Sequence, residues 1–177
     1  MARSRRYERR GQRGGQHVVT APVSSGPSPV GGGPVPYLTD TQTLVLRRFA
    51  EGHTCRQIAR ELGVSEITVR GYSQRLQQAL DAETVPHAVH LAHQLGMLSD
   101  LPKRTRRGLP PEQVEVLRLV AAGLSNARIA EVLDRPVYTV SDQVKRLRQR
   151  LGARDRSHAV ALGMAAGLVR PQDVNAA

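Results

Sequence analysis

Residues 125–140 read SNARIAEVLDRPVYTV, and the stretch that aligns with them, residues 54–69, reads TCRQIARELGVSEITV. In both stretches the apolar residues step by three and four positions, and both end in Thr-Val. That spacing is typical of amphipathic helices rather than of strands. The pattern therefore predicts two short helices joined by a tight turn, and it predicts them twice.

The repeat extends well beyond these two stretches. With an offset of 71, residues 38–98 align without a gap to residues 109–169, and 22 of the 61 positions are identical. Many of the identities are apolar and stay in register. Because self-similarity at a fixed period indicates repeated structural units, the chain is predicted to contain a duplicated module.

Each copy is predicted to hold four helices, at about 41–51, 55–62, 66–79 and 87–98, and then at about 112–122, 126–133, 137–151 and 157–168. Thr39, Thr54 and Ser65 are the predicted N-caps. Gly63 stands in the turn where a positive φ is wanted, and Pro136 replaces Ser65 in the second copy. The expected fold class is all-α, with two tandem four-helix helix-turn-helix modules.

Residues outside the modules offer little material for a core. Residues 1–36 are rich in Arg, Gly, Ser, Pro and Gln, and this composition predicts a disordered basic tail. The predicted organisation is this tail, a first module at 37–98, a basic linker at 99–108, a second module at 109–170 and a tail at 171–177. Fully extended, the linker spans at most about 33 Å.

The charge is strongly positive and unevenly distributed. The formal net charge of +11 is made up of +5 in residues 1–36, −1 in residues 37–100 and +7 in residues 101–177. This balance favours a polyanionic partner. The single Cys55 excludes an internal disulfide framework, and no segment approaches the roughly 20 apolar residues of a membrane span. We expect a cytoplasmic protein with no membrane partner.

The third helix of each copy is predicted to turn a polar face outward. At about 100° per residue, one side of it forms a predicted buried stripe, with Val69, Tyr72, Ser73, Leu76 and Leu80 in the first copy and Val140, Val144, Leu147 and Leu151 in the second. The outward positions are Ile67, Arg70, Gly71, Gln74 and Gln78, and then Tyr138, Ser141, Asp142, Lys145 and Gln149. A helix with such a face fits a DNA major groove, which is about 12 Å wide.

Both copies resemble the LuxR/GerE-type helix-turn-helix domain of bacterial transcription regulators. The resemblance covers about 130 of 177 residues and includes the fourth-helix segments PHAVHLAHQLGML and HAVALGMAAGL. It implies that base-reading positions are Arg70, Gly71 and Gln74 in the first copy and Ser141, Asp142 and Lys145 in the second. Ile67 and Tyr138 point the same way and either touch bases or cover neighbouring side chains. The predicted phosphate contacts are Thr54, Thr68, Arg75, Ser125, Thr139, Arg146 and Arg148.

The two copies depart from the family pattern differently. The first keeps its caps and Arg70, which can pair with guanine, but its charge of −1 attracts phosphate weakly. The second copy is basic around Lys145 and in residues 103–107, just before the module. However, Ser141 and Asp142 replace the basic pair expected at the base-reading face. The second copy is therefore expected either to dock on DNA or to serve as a packing or partner surface.

The predicted function is sequence-specific binding of double-stranded DNA by a transcription regulator with two linked modules and no sensor domain. The alternative is a protein-binding adaptor of the transcription machinery, or a promoter reader similar to the fourth region of sigma factors, in which one or both modules do not read DNA. RNA polymerase or a regulatory protein would then be the partner. The resemblance also implies pairing of the fourth helices, either between two chains as a homodimer or within one chain as a pseudo-dimer.

Catalysis, cofactors and metal sites are not expected. The sequence has no Ser-His-Asp set or phosphate loop. His87, His90 and His93 spread over about 120° of a helix without a Cys or an acid to complete a metal site. His158 takes the place of His87 in the second copy, which favours a shared structural role near the start of the fourth helix.

Overall fold

The computed structural model describes residues 36–99 and 108–170, and these ranges form eight α-helices and no strands. The helices are α1 (Asp40–Ala50), α2 (Cys55–Leu62), α3 (Glu66–Leu80), α4 (Val85–Gln94), α5 (Pro111–Ala121), α6 (Asn126–Val132), α7 (Val137–Leu151) and α8 (Arg156–Ala165). The predicted all-α fold is confirmed. Most of the predicted tail and linker, including Lys103, lies outside the described residues. None of the helices in the described ranges is long and apolar enough to cross a membrane.

Capping side chains set the starts of the first three helices. Thr39, Thr54 and Ser65 each accept a hydrogen bond from the backbone N–H three residues further on, at 3.1 to 3.3 Å. The side chains of Gln42 and Gln57 in turn accept from the backbone N–H of the two threonines, at 2.9 and 2.8 Å. These reciprocal pairs satisfy amides that a helix start otherwise leaves without partners. The three predicted N-caps are confirmed.

The start of α7 is built differently from that of α3. Pro136 is its N-cap and gives no side-chain hydrogen bond, and its carbonyl accepts from the N–H of Thr139 at 2.9 Å and from the N–H of Val140 at 3.3 Å. In the turn before it, Asp134 has a φ of 48° where Gly63 of the first module has a φ of 65°. Aspartate is one of the few residues besides glycine that tolerates this region. The second module therefore keeps the turn without its glycine.

The fourth helices begin and end earlier than predicted. The start of α4 is Val85, because Thr84 caps it and accepts from the N–H of His87 at 3.4 Å. It ends before Gly96, which has a φ of 75°, and the N–H of Met97 donates to the carbonyl of Ala92 at 2.9 Å. This is the Schellman motif, and α8 closes in the same way. The predicted ends at 98 and 168 were wrong. The apolar residues after Gly96 and Gly167 continue the helical spacing in the sequence, but the chain leaves the helix before each glycine and these residues pack from a turn.

Each module closes around the same set of buried side chains. At most 1% of each is exposed, and the members pair at the 71-residue offset: Val45, Leu46, Ile58, Val69 and Leu76, and Val116, Leu117, Ile129, Val140 and Leu147. These residues come from the first three helices of each module, so the apolar sides of α3 and α7 pack into the cores. Leu80, Val144 and Leu151 are buried as well. Tyr72 and Ser73, which were also predicted in the first stripe, are only half-buried. The predicted stripes are confirmed apart from these two positions.

The two modules pack against each other through α4 and α8. In addition, α4 contacts α5 of the second module, and α8 contacts α1 of the first module. The packing is reciprocal, because His158 lies against Gly52 and His87 lies against Gly123, and both pairs are related by the same offset. Such exchange of equivalent contacts is the property of a two-fold interface. The structure therefore shows α4 and α8 pairing within the chain, which is one of the two arrangements that the sequence left open.

His90 is entirely buried and crosses this interface. Its Nδ1 lies 3.2 Å from Sδ of Met164 in the second module, and its Nε2 lies 2.7 Å from the side-chain nitrogen of Gln94. Because an amide nitrogen only donates, Nε2 accepts and the ring proton sits on Nδ1. Burial lowers the pKa of His90 to about 4, and the charges of His87 and His93 act in the same direction. The imidazole at the interface is therefore neutral.

His87 and His158 have a matched structural role at the starts of α4 and α8. Nδ1 of His87 accepts from the N–H of Glu83 at 3.3 Å, and Nδ1 of His158 accepts from the N–H of Arg154 at 3.2 Å. These bonds hold each ring against the glycine of the opposite module. In the described part of the chain, no three His, Cys, Asp or Glu side chains are grouped so as to hold a metal ion.

Candidate nucleic-acid interface

The open side of α3 carries the predicted base-reading residues of the first module. Ile67 is 78% exposed, Arg70 and Gln74 are exposed, and Gly71 is half-buried. Since residues three and four apart share one face of a helix, these four positions form a single ridge. The ridge lies opposite the buried stripe, so the predicted outward orientation is confirmed. Contact with bases remains a prediction.

The open side of α7 forms the corresponding ridge in the second module. Tyr138 is 76% exposed, and Ser141, Asp142 and Lys145 are exposed. The carboxylate of Asp142 lies 3.6 Å from the guanidinium of Arg146, one turn further along the helix. An ion pair this exposed contributes little to stability, but it sets the position of a negative charge on the ridge.

The hydroxyl residues predicted to contact phosphate lie around the starts of the helices. Thr54 and Ser125 are the N-caps of α2 and α6, and both are exposed. Thr68 and Thr139 are half-buried in the first turns of α3 and α7. The hydroxyl of Thr68 also shares a 2.9 Å hydrogen bond with the hydroxyl of Ser65.

The arginines predicted to contact phosphate differ in their freedom to move. Arg75 and Arg146 are exposed on α3 and α7. Arg148 is half-buried, and its guanidinium donates to the backbone carbonyl of Arg154. This bond restricts the positions that the guanidinium of Arg148 can reach. Arg150, which adds to the charge of the second module, is exposed.

The modules also differ around the second helix of each copy. In the first module Nε of Arg48 donates to both carboxylate oxygens of Glu61 at 2.9 Å, and this hydrogen bonding lowers the pKa of Glu61. The place of Glu61 is taken by Val132 in the second module, where it is 57% exposed. Val137, which is 49% exposed, and Tyr138 are further exposed apolar side chains of the second module. Val132 and Val137 thus replace the charged Glu61 and Glu66 of the first module, whereas Tyr138 replaces Ile67, which is also apolar and exposed.

Two residues that the sequence analysis did not single out connect to the base-reading ridge of α7. The side-chain nitrogen of Asn126 donates to Oγ of Ser141 at 3.0 Å. Arg156 donates to Oδ1 of Asn126 at 2.6 Å and to the carbonyl of Leu124 at 2.8 Å. The available signal was a difference between the copies. At the positions 71 residues earlier, Cys55 stands for Asn126 and Val85 stands for Arg156, so the polar pair occurs in the second copy alone.

Comparison with known protein families gives a match to bacterial regulatory proteins of the luxR family (GerE), over residues 36–92 and again over residues 108–162. Each matched segment contains the first three helices of a module and most of the fourth. Comparisons with curated proteins and with solved structures gave no match. The two matched segments together make up more than half of the chain. The chain therefore belongs to the luxR family of bacterial regulatory proteins, a family of DNA-binding regulators, and carries its helix-turn-helix module twice.

Proposed function

We propose that this protein is a transcription regulator that binds double-stranded DNA sequence-specifically with both modules, which form a pseudo-dimer within one chain. The observation that carries the proposal is the reciprocal packing of α4 and α8, which relates two exposed recognition helices by a pseudo-two-fold arrangement. Helix-turn-helix dimers read half-sites spaced by about 34 Å, one turn of DNA, and the symmetry of the site follows that of the protein. In this protein a single chain supplies both DNA-binding modules of such a dimer.

The two half-sites are inverted but differ in sequence, because the two ridges carry different chemistry. Arg70 offers a pair of donors suited to guanine, and Gln74 can both donate to and accept from adenine. In the second module Lys145 donates and Asp142 accepts, which suits guanine and cytosine respectively. The palindromic site of a symmetric homodimer is therefore not the expected target.

The two modules also differ in how strongly their charges attract the phosphates of DNA. The first has a net charge of −1 over residues 37–100, whereas Lys145, Arg146 and Arg150 are exposed on α7 of the second. We assign most of the sequence-independent attraction of the described residues to the second module. Linking two binding modules raises affinity by about 10² to 10⁴ over one module without new contacts, so a weakly attracting first module can still read bases.

Selection of bound sequences from a random pool of duplex DNA tests this proposal. The expected result is a two-part motif with dissimilar halves at a fixed spacing. Arg70→Ala should reduce discrimination at one base pair of one half by about 5- to 100-fold, equivalent to the loss of a bidentate contact. Lys145→Ala should alter the other half only.

Arg60→Ala is the matched control for Arg70→Ala. Arg60 is also an exposed arginine of the first module, but it lies on α2 rather than on the ridge of α3. Its removal should weaken binding to all sequences without changing the motif. Absence of any enriched sequence at low salt would contradict the proposal.

Removal of residues 1–36 is expected to weaken binding to all DNA sequences alike. These residues carry six arginines and one glutamate. Each phosphate contact contributes about 0.9 to the slope of log affinity against log salt concentration, so the slope should flatten by up to about 5. Titrations of DNA at several salt concentrations, with the selected site and with an unrelated duplex, measure both effects. A loss confined to the selected site would show that the segment reads sequence instead.

A second candidate function is an adaptor in which the second module binds a protein of the transcription machinery. It is favoured by the exposed apolar side chains of Val132 and Val137, which stand where the first module has Glu61 and Glu66. In that case the selected motif would have one part, and Lys145→Ala would leave it unchanged. Dissimilar but complete half-motifs would exclude this function for the second module.

A further inference from the structure

Arg156, Asn126 and Ser141 form a hydrogen-bonded network that ends on the base-reading ridge of α7. The three residues lie on α8, α6 and α7, so the network joins three helices of the second module. Arg156 is half-buried and also lines a cleft with Val85 and Pro86 of the first module. Ser141, at the other end, is exposed.

The direction of each hydrogen bond in this network follows from its chemistry. A guanidinium has only donors, so the atom of Asn126 that faces Arg156 at 2.6 Å is the amide oxygen. The amide nitrogen must then face Ser141, at 3.0 Å. Because that nitrogen only donates, Oγ of Ser141 is the acceptor. The hydroxyl hydrogen of Ser141 remains available on the exposed side of the helix.

We propose that Asn126 and Arg156 are positioning residues that make Ser141 a hydrogen-bond donor toward the DNA base it meets. This inference rests on the proposed function and specifies one position of the second half-site. A serine hydroxyl can ordinarily either donate or accept, and therefore discriminates poorly between bases. With one of its two lone pairs engaged by Asn126 and its proton free, the hydroxyl favours an edge with an acceptor, such as purine N7, guanine O6 or thymine O4, over an edge with the amino group of cytosine.

The first module has no equivalent network. The residues at the three corresponding positions are Val85, Cys55 and Arg70, and Arg70 brings its own donors. In the second module, Ser141 stands at the place of Arg70, and Arg156 on α8 is hydrogen-bonded to Asn126, which in turn contacts Ser141. The two copies thus present a donor at the same place on the ridge by different means.

Asn126→Asp reverses the direction of the final hydrogen bond and is the decisive variant. The carboxylate can only accept, so the Ser141 hydroxyl must turn toward it and present lone pairs to the DNA. At the base pair that Ser141 meets, the preference should shift by about 3- to 10-fold, from edges that accept toward the amino groups of cytosine or adenine. The measurement is the relative affinity of the full chain for the selected site with each of the four base pairs at every position of the second half-site.

Two further variants separate this role from a merely structural one. Ser141→Ala should remove the preference, and Asn126→Asp should have no further effect on it in the double variant. Arg156→Met leaves the amide of Asn126 free to turn over, so the preference should weaken without reversing. Thermal unfolding of each variant shows whether the module remains folded.

Cys55→Asp is the matched control, because it adds the same charge at the equivalent position of the first module. It should lower overall affinity to a similar degree and leave the second half-site unchanged. A preference that stays the same in Asn126→Asp or in Ser141→Ala, while the wild-type chain selects a motif, overturns the inference. If the wild-type chain selects no motif at all, the proposed function itself fails.

Discussion

Replacement of Gly52 by alanine is expected to lower the free energy of unfolding by about 2 to 5 kcal/mol. Gly52 has a φ of 79°, where a side chain costs about 1 to 2 kcal/mol. A Cβ at this position would also lie 2.6 Å from Nδ1 of His158, closer than real contacts allow. The His158 ring cannot simply swing away, because Nδ1 accepts from the N–H of Arg154 at 3.2 Å. The clash therefore falls on the contact between the two modules.

Gly96→Ala is the matched control for this substitution. Gly96 has a similar φ of 75°, but a Cβ there would meet nothing within 4 Å. It should show the backbone strain alone, about 1 to 2 kcal/mol. Gly123→Ala should fall between the two, since its Cβ would lie 3.1 Å from Nδ1 of His87. Urea unfolding of the three variants measures the differences, and equal losses for Gly52→Ala and Gly96→Ala would contradict the expectation.

Binding of the Gly52→Ala variant to the selected DNA site tests whether the packing of the two modules sets the spacing between the half-sites. The linker at 99–108 still tethers the modules, so much of the gain from linkage should persist. What should be lost is the fixed spacing, because it depends on the packing of α4 against α8. Sites with one or two base pairs inserted between the half-sites should then bind almost as well as the selected site. If the spacing requirement remained as strict, the pairing of the fourth helices would not set it.

The parts of this fold that can be predicted from sequence are those determined by local periodicity and capping. Val69 and Val140 are buried where the helical spacing places them, and Thr54 caps α2 where its hydroxyl and Gln57 indicate. The exposed ridge of α3 follows from the same spacing, because a helix with one buried stripe must expose the opposite side. These features need no knowledge of the other module.

The features that could not be predicted depend on contacts between distant segments. An apolar face on the fourth helix is needed for the core of its own module, so it does not reveal whether α4 also meets α8. Ser141 and Arg156 lie on different helices, whose packing angles are not encoded by local sequence. The replacement of Cys55 by Asn126 between the copies is visible in the sequence, but its meaning depends on the arginine that faces it. Differences between the copies at polar positions are the signal that points to such contacts.

Acidification from pH 6.5 to pH 4 is expected to remove about 2 to 3 kcal/mol of unfolding free energy through His90 alone. The unfolded chain binds a proton at this residue with a pKa of 6.5, whereas burial lowers the pKa in the folded chain to about 4. Between these values the unfolded state holds more protons, so stability falls as the pH falls. Well above pH 6.5 the full contribution is present, and the loss through His90 levels off only as the pH falls about a unit below 4. Burial also lowers the pKa of His87 and of His93, which adds a loss of the same sign.

His90→Leu isolates the contribution of this residue. Unfolding by urea at several pH values between 4 and 7 should show a shallower dependence on pH in the variant than in the wild type, with His87 and His93 accounting for the remainder. Protonation would put a hydrogen on Nε2, where the amide nitrogen of Gln94 already donates at 2.7 Å, and a charge beside Sδ of Met164 across the module boundary. The neutral ring is therefore part of what holds α4 against α8. Identical losses in the two proteins over this pH range would mean that His90 is accessible to protons in the folded state and that the interface is not closed around it.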